Sequence, residues 1–392
     1  MPEIGGTTAP GYEAVRDAFA ANLRDHGEIG GAVAAYVDGR EVVDLWGGSA
    51  DPDTGRAWRH DTLQVVYSVT KAFTAACAHL LAQRGTLDLD APVARYWPEF
   101  AAAGKEHIPV RWLLTHQAGL SAIDSPVTPD EAVRWEPVVS ALAAQRPEWE
   151  PGTAHGYHGL TYGWLVGEVI RRVSGVGPGV FLRREIAVPH DLDLWIGLPE
   201  AQRERVSRIV AAAPDFDSLT LIDPADHPEP LRDMMAAYAD PDSLTMRTMK
   251  VVTPPLDHNR PEELAAEMPS TNGACTARAL AGFYAALIGE VGGRRILSAD
   301  TLADATAERV SGVDRVLKVP VRIATGFGLP TPDTFWYTPA AFGFPGLGGS
   351  LGFADPATGL AFGYVTNHVR EGVVDRRAES LLAAVRDGMA GG

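Results

Sequence analysis

Leu63-Gln64-Val65-Val66-Tyr67-Ser68-Val69-Thr70-Lys71-Ala72-Phe73-Thr74-Ala75-Ala76-Cys77 is the stretch whose reading decides the fold. A short β-prone run (Val65, Val66, Tyr67) gives way at Ser68 to a helical pattern. Val69, Phe73, Ala76, Cys77 and Leu80 recur at spacings of three and four, which predicts one shared buried face. Ser68 then stands at the N-terminus of the predicted helix, where serine is a favoured cap. Lys71 lies one turn on and on the same side. A weak hydroxyl nucleophile thus has an amine within reach to take its proton. The Ser68 N–H is also free to point toward developing negative charge. The chain holds four lysines and 14 serines, so roughly 0.14 Ser-x-x-Lys matches are expected by chance. The motif is suggestive; its plain alternative is a capping serine beside a solvated lysine.

Upstream, residues 11–25 read as a helix on Val15, Phe19 and Leu23. Residues 32–37 and 41–46 read as the strands of a hairpin turned by Asp38-Gly39. Downstream, the helix from Ser68 stops at a Gly85 C-cap. Short helices are predicted over 110–114, 129–144 (with an interruption at Pro137), 160–173 and 179–188. Residues 214–270 are the least regular part and carry Met234, Met235, Met246 and Met249. These methionines suit either an irregular apolar ligand or gap-filling in the core. Helices follow over 274–288 and from a Ser298 cap to residue 309. Strands are expected over 316–323, 335–337, 351–354 and 360–366, then an amphipathic helix over 371–389. Strands at both ends with helices between predict an α/β (α+β) fold: one antiparallel sheet flanked by helices, with a helical region inserted. The predicted sheet part is 1–67 with 275–392. The predicted helical part is 68–274, with 214–270 as a lid over the site.

Composition narrows the functions. With 392 residues, 46% of them hydrophobic, the chain is long enough for a large core. A net charge of −16 repels phosphate backbones and anionic lipid, so neither nucleic acid nor a membrane is an expected partner. Cys77 and Cys275 show no metal-ligand spacing and read as two buried thiols, which suits a reducing compartment. No basic-then-apolar leader and no run of about 18 apolar residues is present. The expected location is the cytoplasm. The sequence leaves the oligomeric state open, a homodimer included.

Two further stretches carry chemistry. In Gly156-Tyr157-His158-Gly159-Leu160, a tight turn holds Tyr157 outside any apolar stripe. A phenol beside a lysine ammonium loses its proton more easily, so Tyr157 is a candidate general base or acid. The plain alternative is an amphipathic loop tyrosine. In Phe342-Gly343-Phe344-Pro345-Gly346-Leu347-Gly348-Gly349-Ser350, the glycines let another group approach a strand closely, and an edge strand here could lend an N–H to an oxyanion.

Together these stretches resemble the serine β-lactamase and penicillin-recognising family, and within it the family VIII carboxylesterases and class C β-lactamases. Ser68 and Lys71 match its Ser-x-x-Lys, and Tyr157 matches the tyrosine of its Tyr-x-Asn triplet. Thr115-His116-Gln117-Ala118-Gly119-Leu120 looks like its Thr-His-x-x-Gly-Leu turn. Two departures stand out. Gly159 occupies the place of the asparagine, and Phe344-Pro345-Gly346 stands where a Lys-Thr-Gly or similar triplet is usual. The groups that hold a substrate carboxylate are therefore missing, which points to uncharged esters. The resemblance implies Ser68 as nucleophile, and Lys71 and Tyr157 as proton carriers. It implies the Ser68 and Leu347 N–H groups as oxyanion hole. Phe344, Gly346, Gly159 and His158 are taken to shape the substrate pocket, and no metal or cofactor is implied. The expected activity is carboxylesterase hydrolysis of a small-molecule ester through an acyl-enzyme. The alternatives are an acyltransferase or transesterase, a weak β-lactamase or D,D-peptidase-type amide hydrolase, and a silent binding protein. Gly348-Gly349-Ser350-Leu351-Gly352 also fits the G-x-S-x-G nucleophile elbow, but a strand-like run follows where the elbow needs a helix. His155 and His158 have metal-like spacing without a carboxylate partner, which favours a structural or substrate-shaping role.

Overall fold

Two apolar runs at opposite ends of the chain pair with each other, and this pairing sets the architecture. The protein is described by a computed structural model over residues 3–211, 229–332, 334, 338–370 and 375–391. Its main sheet contains β1 (Ile4–Thr8), β2 (Gly30–Val37), β3 (Arg40–Asp51), β4 (Val310–Val313), β5 (Pro320–Ile323), β6 (Gly328–Leu329), β7 (Phe342–Pro345), β8 (Leu351–Asp355) and β9 (Leu360–Thr366). The spatial order is β1-β3-β2-β9-β8-β7-β6-β5-β4, with Arg56–Ala57 paired onto β3. Every neighbouring pair is antiparallel. The seam between the chain ends is β2 against β9, running from Val37 opposite Leu360 to Gly31 opposite Thr366. The β2–β3 hairpin turns at Asp38-Gly39, both with positive φ (49° and 73°), as an Asp-Gly turn requires.

Alternation gives this sheet two apolar faces. Val33, Ala35, Val43, Leu45, Phe353 and Phe362 pack against α1 (Glu13–Asp25) and the C-terminal helix Arg377–Gly391. Ala32, Ala34, Phe342, Ala354 and Ala361 pack on the other side. There they meet α2 (Thr70–Gln83), and α3 (Thr161–Ser174) and α4 (Ala277–Ile288) belong to the same cluster. The helix α2 is buried on every side from Thr70 to Leu81, where the sequence predicted one buried face. A helix apolar all round is the mark of a central element.

Several expectations shift for local reasons. The helix over 129–144 is two, Pro129–Val133 and Glu136–Ala144. The break is at Trp135 (φ 66°), so Pro137 falls in the first turn of the second helix, where its missing N–H costs nothing. Residues 274–275 form a short strand, and Thr276 then caps α4 by accepting the Ala279 N–H at 3.1 Å. The strand expected over 316–323 is half of the β4–β5 hairpin, with residues 314–319 as its turn. Ser298 caps its helix as read, but that helix ends at Thr306. Within 229–270 there are three helices, Glu229–Ala239, Leu244–Met249 and Pro261–Ala265. Met234, Met235 and Met246 are half-buried and Met249 is exposed, so none fills the core. The expected strand at 335–337, residues 214–228 and residues 371–374 lie outside the described residues. No helix among the described residues is long and apolar enough to cross a membrane.

A buried polar network closes the seam. With α5 (Arg377–Gly391) now defined, its first residue sends a fully buried guanidinium to Glu28 Oε1 at 3.3 Å, Asp375 Oδ2 at 2.6 Å and the Gly348 carbonyl at 2.9 Å. Glu28 also accepts from Thr366 Oγ1 at 2.6 Å and from the Tyr364 hydroxyl. Removing one partner of a buried ion pair strands the other charge. Arg377→Ala is therefore expected to cost about 3–5 kcal/mol, read as a loss in denaturant unfolding at unchanged m-value.

Candidate active site

The approach to Ser68 is built by backbone geometry. Gln64–Val65 pairs with Ala274–Cys275, which also pairs with Leu194–Trp195. The Val66 N–H then donates to the Gly273 carbonyl at 2.8 Å. Tyr67 takes φ 47°, a left-handed conformation a bulky residue adopts only under constraint. Tyr67–Val69 forms a 3₁₀ turn ahead of α2. Ser68 thus sits in that turn and is not the helix cap the sequence suggested; the α2 cap position is Val69, without a side-chain bond.

What Ser68 does instead is meet the two expected partners. Lys71 Nζ lies 3.2 Å from Ser68 Oγ, and the Tyr157 hydroxyl donates to the same oxygen at 2.7 Å. Lys71 is fully buried, and its nitrogen donates to the Gly159 carbonyl at 2.8 Å and the Ser270 carbonyl at 3.1 Å. It also stands 4.8 Å from the Tyr157 ring centroid. Burial holds the Lys71 ammonium well below the usual lysine range, since charge is costly away from water. Burial likewise pushes the Tyr157 phenol up; the Ser68 hydrogen bond opposes this and Asp314 reinforces it. This runs against the phenolate expectation: burial works against charge on the amine and on the phenol alike. Burial thus disfavours charge on both groups around Ser68.

The Tyr157 loop is framed from several sides. His116 (φ 60°) accepts the Gly156 N–H on its carbonyl at 3.0 Å and the His158 N–H on Nδ1 at 3.2 Å. Its ring lies 5.1 Å from that of Tyr157, so the Thr-His turn is structural, as read. His158 was expected at the substrate, and it departs from that. It is fully buried, its Nδ1–H donates to the Gly156 carbonyl at 2.7 Å, and its Nε2 accepts the Leu120 N–H at 3.0 Å. With both ring nitrogens spent inside the fold, it braces the loop. Burial holds its imidazole down to about 4.

Gly159 contributes its carbonyl to Lys71. The atoms nearest to a Cβ added there are Thr248 Cγ2 at 3.7 Å and Tyr157 ring carbons from 3.7 Å, so the position has room for a Cβ. Phe344 lies buried in β7 opposite Gly352, on the α4 face, where a Cβ at Gly352 would strike Tyr284 and Leu280. At Gly346 a Cβ would stand 2.3 Å from the Val66 carbonyl; only glycine lets this turn abut the Ser68 approach. Leu347 follows with a half-exposed side chain. Ser350 is buried and runs into β8, without the helix an elbow needs. Among the described residues no cluster of three or more His, Cys, Asp or Glu could hold a metal.

Two contributors were missed. Ser270 acts through its carbonyl, and a carbonyl leaves no trace in residue type. Asp314 accepts the Tyr157 N–H at 3.0 Å; its only signal was an aspartate in a turn-prone run.

The depressed Lys71 has a consequence for stability. Between its folded value and the ordinary lysine value, the unfolded chain binds the extra proton, so folding is penalised there and stability rises with pH. Lys71→Met removes the penalty. The variant should melt above the wild type at neutral pH, and the gap should close as pH rises through the ordinary lysine range, measured by thermal unfolding across pH.

The family model that matches this chain is described as Beta-lactamase and spans residues 15–386. Esterase/beta-lactamase LipL of Mycobacterium tuberculosis is 36% identical over 374 residues, covering 93% of this chain and 83% of that protein. A crystal structure of a family VIII carboxylesterase superposes with a TM-score of 0.87 at 38% identity, covering 98% of this chain and 100% of that one. EstA from Arthrobacter nitroguajacolicus Rue61a gives a TM-score of 0.85 at 32% identity, covering 100% and 99%. The chain belongs to the beta-lactamase family and is an enzyme among its esterase and β-lactamase-type serine hydrolases.

Proposed function

We propose that the protein is a carboxylesterase that cleaves uncharged small-molecule esters through an acyl-enzyme on Ser68. The observation that carries this reading is Ser68 Oγ held between Lys71 Nζ at 3.2 Å and the Tyr157 hydroxyl at 2.7 Å. Lys71 as a neutral amine has two N–H groups and one lone pair. The two carbonyls take the N–H groups, and the lone pair is left for the Ser68 proton. Ser68 Oγ attacks the acyl carbon while its proton passes to Lys71 Nζ. The C–O bond to the alcohol breaks, Tyr157 gives its proton to the leaving oxygen, and Lys71 restores the phenol. Water then repeats the sequence in reverse and frees the acid.

The Ser68 and Leu347 N–H groups are assigned to the oxyanion, each contributing about 3–4 kcal/mol to the barrier. The close approach of Gly346 to Val66 supports that assignment. The apolar Phe344 and the missing side chain at Gly159 support an ester without a carboxylate anchor. The names of the LipL and family VIII relatives support esterase chemistry. The two free buried thiols support a reducing, cytoplasmic setting.

Ser68→Ala should abolish p-nitrophenyl ester turnover and remove the acyl adduct seen by mass spectrometry; full activity in that variant sinks the reading. Excess alcohol acceptor separates hydrolysis from transfer: an ester product in place of the acid makes the enzyme an acyltransferase. Gly159→Asn adds a Cβ at ordinary van der Waals distance from its neighbours and restores the amide usual in the family's second motif. It should fold with an unchanged melting point and raise nitrocefin hydrolysis relative to ester hydrolysis, measured as the ratio of kcat/KM.

A further inference from the structure

The phenol of Tyr157 is held in place from the far side of the chain. Asp314 opens the turn between β4 and β5 and is fully buried. Its Oδ1 accepts the Val316 and Leu317 N–H groups at 2.8 Å each, which folds the turn, and the Tyr157 N–H at 3.0 Å. One residue on, the Arg315 N–H donates to the His155 carbonyl at 3.1 Å. The two surfaces are in close contact: a Cβ at Gly156 would meet Val316 Cγ2 at 3.2 Å and Arg315 Cβ at 3.3 Å. The Thr245 hydroxyl pins the same turn by donating to the Val316 carbonyl at 2.5 Å. Ser68 and Lys71 are fixed by α2 and its leading turn. The backbone of Tyr157 is fixed by the sheet hairpin.

We propose that Asp314 is a positioning residue for catalysis, holding Tyr157 through its backbone N–H so that the phenol stays within hydrogen-bonding reach of Ser68. This rests on the esterase reading of the site. Asp314 never touches the reacting atoms; it acts through Tyr157. Its charge has a second effect. The ionisable and polar groups facing the Tyr157 side chain are Lys71 and Ser68 from the α2 region, His116 from the Thr-His turn, Tyr162 from α3, and Asp314. Of these, Lys71 and His116 are kept toward their neutral forms by burial. Asp314 is left as the group that opposes phenolate by charge, adding to the larger effect of burial.

Two variants separate position from charge. Asp314→Ala removes the acceptor, and a displaced phenol should lower kcat for a p-nitrophenyl ester by about 10²-fold with little change in KM. Asp314→Asn keeps an acceptor at Oδ1 and removes the charge. It should restore most of kcat at neutral pH, yet lose activity at a lower alkaline pH than the wild type, because the phenol ionises more easily. Fluorophosphonate labelling of the wild-type Ser68 is measured alongside. No labelling and no turnover in the wild type would overturn the esterase reading itself. Wild-type activity with an Asp314→Ala variant of unchanged kcat would overturn the positioning role. If Asp314→Ala does not fold, Asp314→Glu decides: it keeps the charge and displaces the acceptor from the Tyr157 N–H, so a lowered kcat with the alkaline limb of the wild type supports the inference, and an unchanged kcat overturns it.

Discussion

A lysine amine taken out of water, with only neutral oxygens around it, cannot hold its charge cheaply. Lys71 is in this position, and the rest of the site follows from how the fold accommodates it. The Gly159 and Ser270 carbonyls that receive its N–H groups come from segments far apart in sequence. One precedes α3 and the other precedes the strand Ala274–Cys275. Both must be in place before the amine has partners, so the helical layer and the strand that leads to Ser68 are tied together at one nitrogen. The same burial that lowers the cost of losing the ammonium proton also fixes the amine beside Ser68.

Much of this was legible in the sequence because the reacting groups are side chains with distinctive chemistry. Ser68 and Lys71 are close in sequence, and one helical turn brings them together. Tyr157 stood out by its Gly-flanked loop. The seam strands were legible by alternation, and the read span 360–366 coincides with β9. What was hidden has physical reasons. The carbonyls of Gly159 and Ser270 are groups every residue owns. The effect of burial on the Lys71 and Tyr157 protons was hidden too, since the sequence reading weighed their proximity without it. The hairpin of β4 and β5 was read as one strand because its turn carries Val316 and Leu317, apolar residues that the Asp314 carboxylate folds inward. His158 looked like a pocket residue by position in the chain, and only its two filled ring nitrogens reveal a brace.

The departures from the family pattern fall at two places, one at the Lys71 amine and one at the backbone that leads to Ser68. Gly159 leaves open space next to Tyr157, and Phe344-Pro345-Gly346 ends β7 without a cation. Neither change disturbs the Ser68, Lys71 and Tyr157 geometry, because those side chains are held by other means: burial, two carbonyls and the clamp from Asp314. A fold that fixes its reacting groups separately from its recognition groups can change what it accepts without losing how it reacts.

The pairing of β2 with β9 joins residues more than three hundred positions apart. A ribosome releases Ser68 and Lys71 early, long before β9 exists to cover the sheet on which α2 rests. Contacts this distant in sequence slow folding, because loop-closure entropy is lost before they form. The guanidinium that grips the Gly348 carbonyl belongs to α5, so the Gly-rich turn has this partner only after nearly the whole chain has been made. Ser68 is therefore translated long before the strand and the helix that complete its surroundings. A nascent chain carries the Ser68 hydroxyl for 89 residues before Tyr157 exists, and for longer before the Gly-rich turn does.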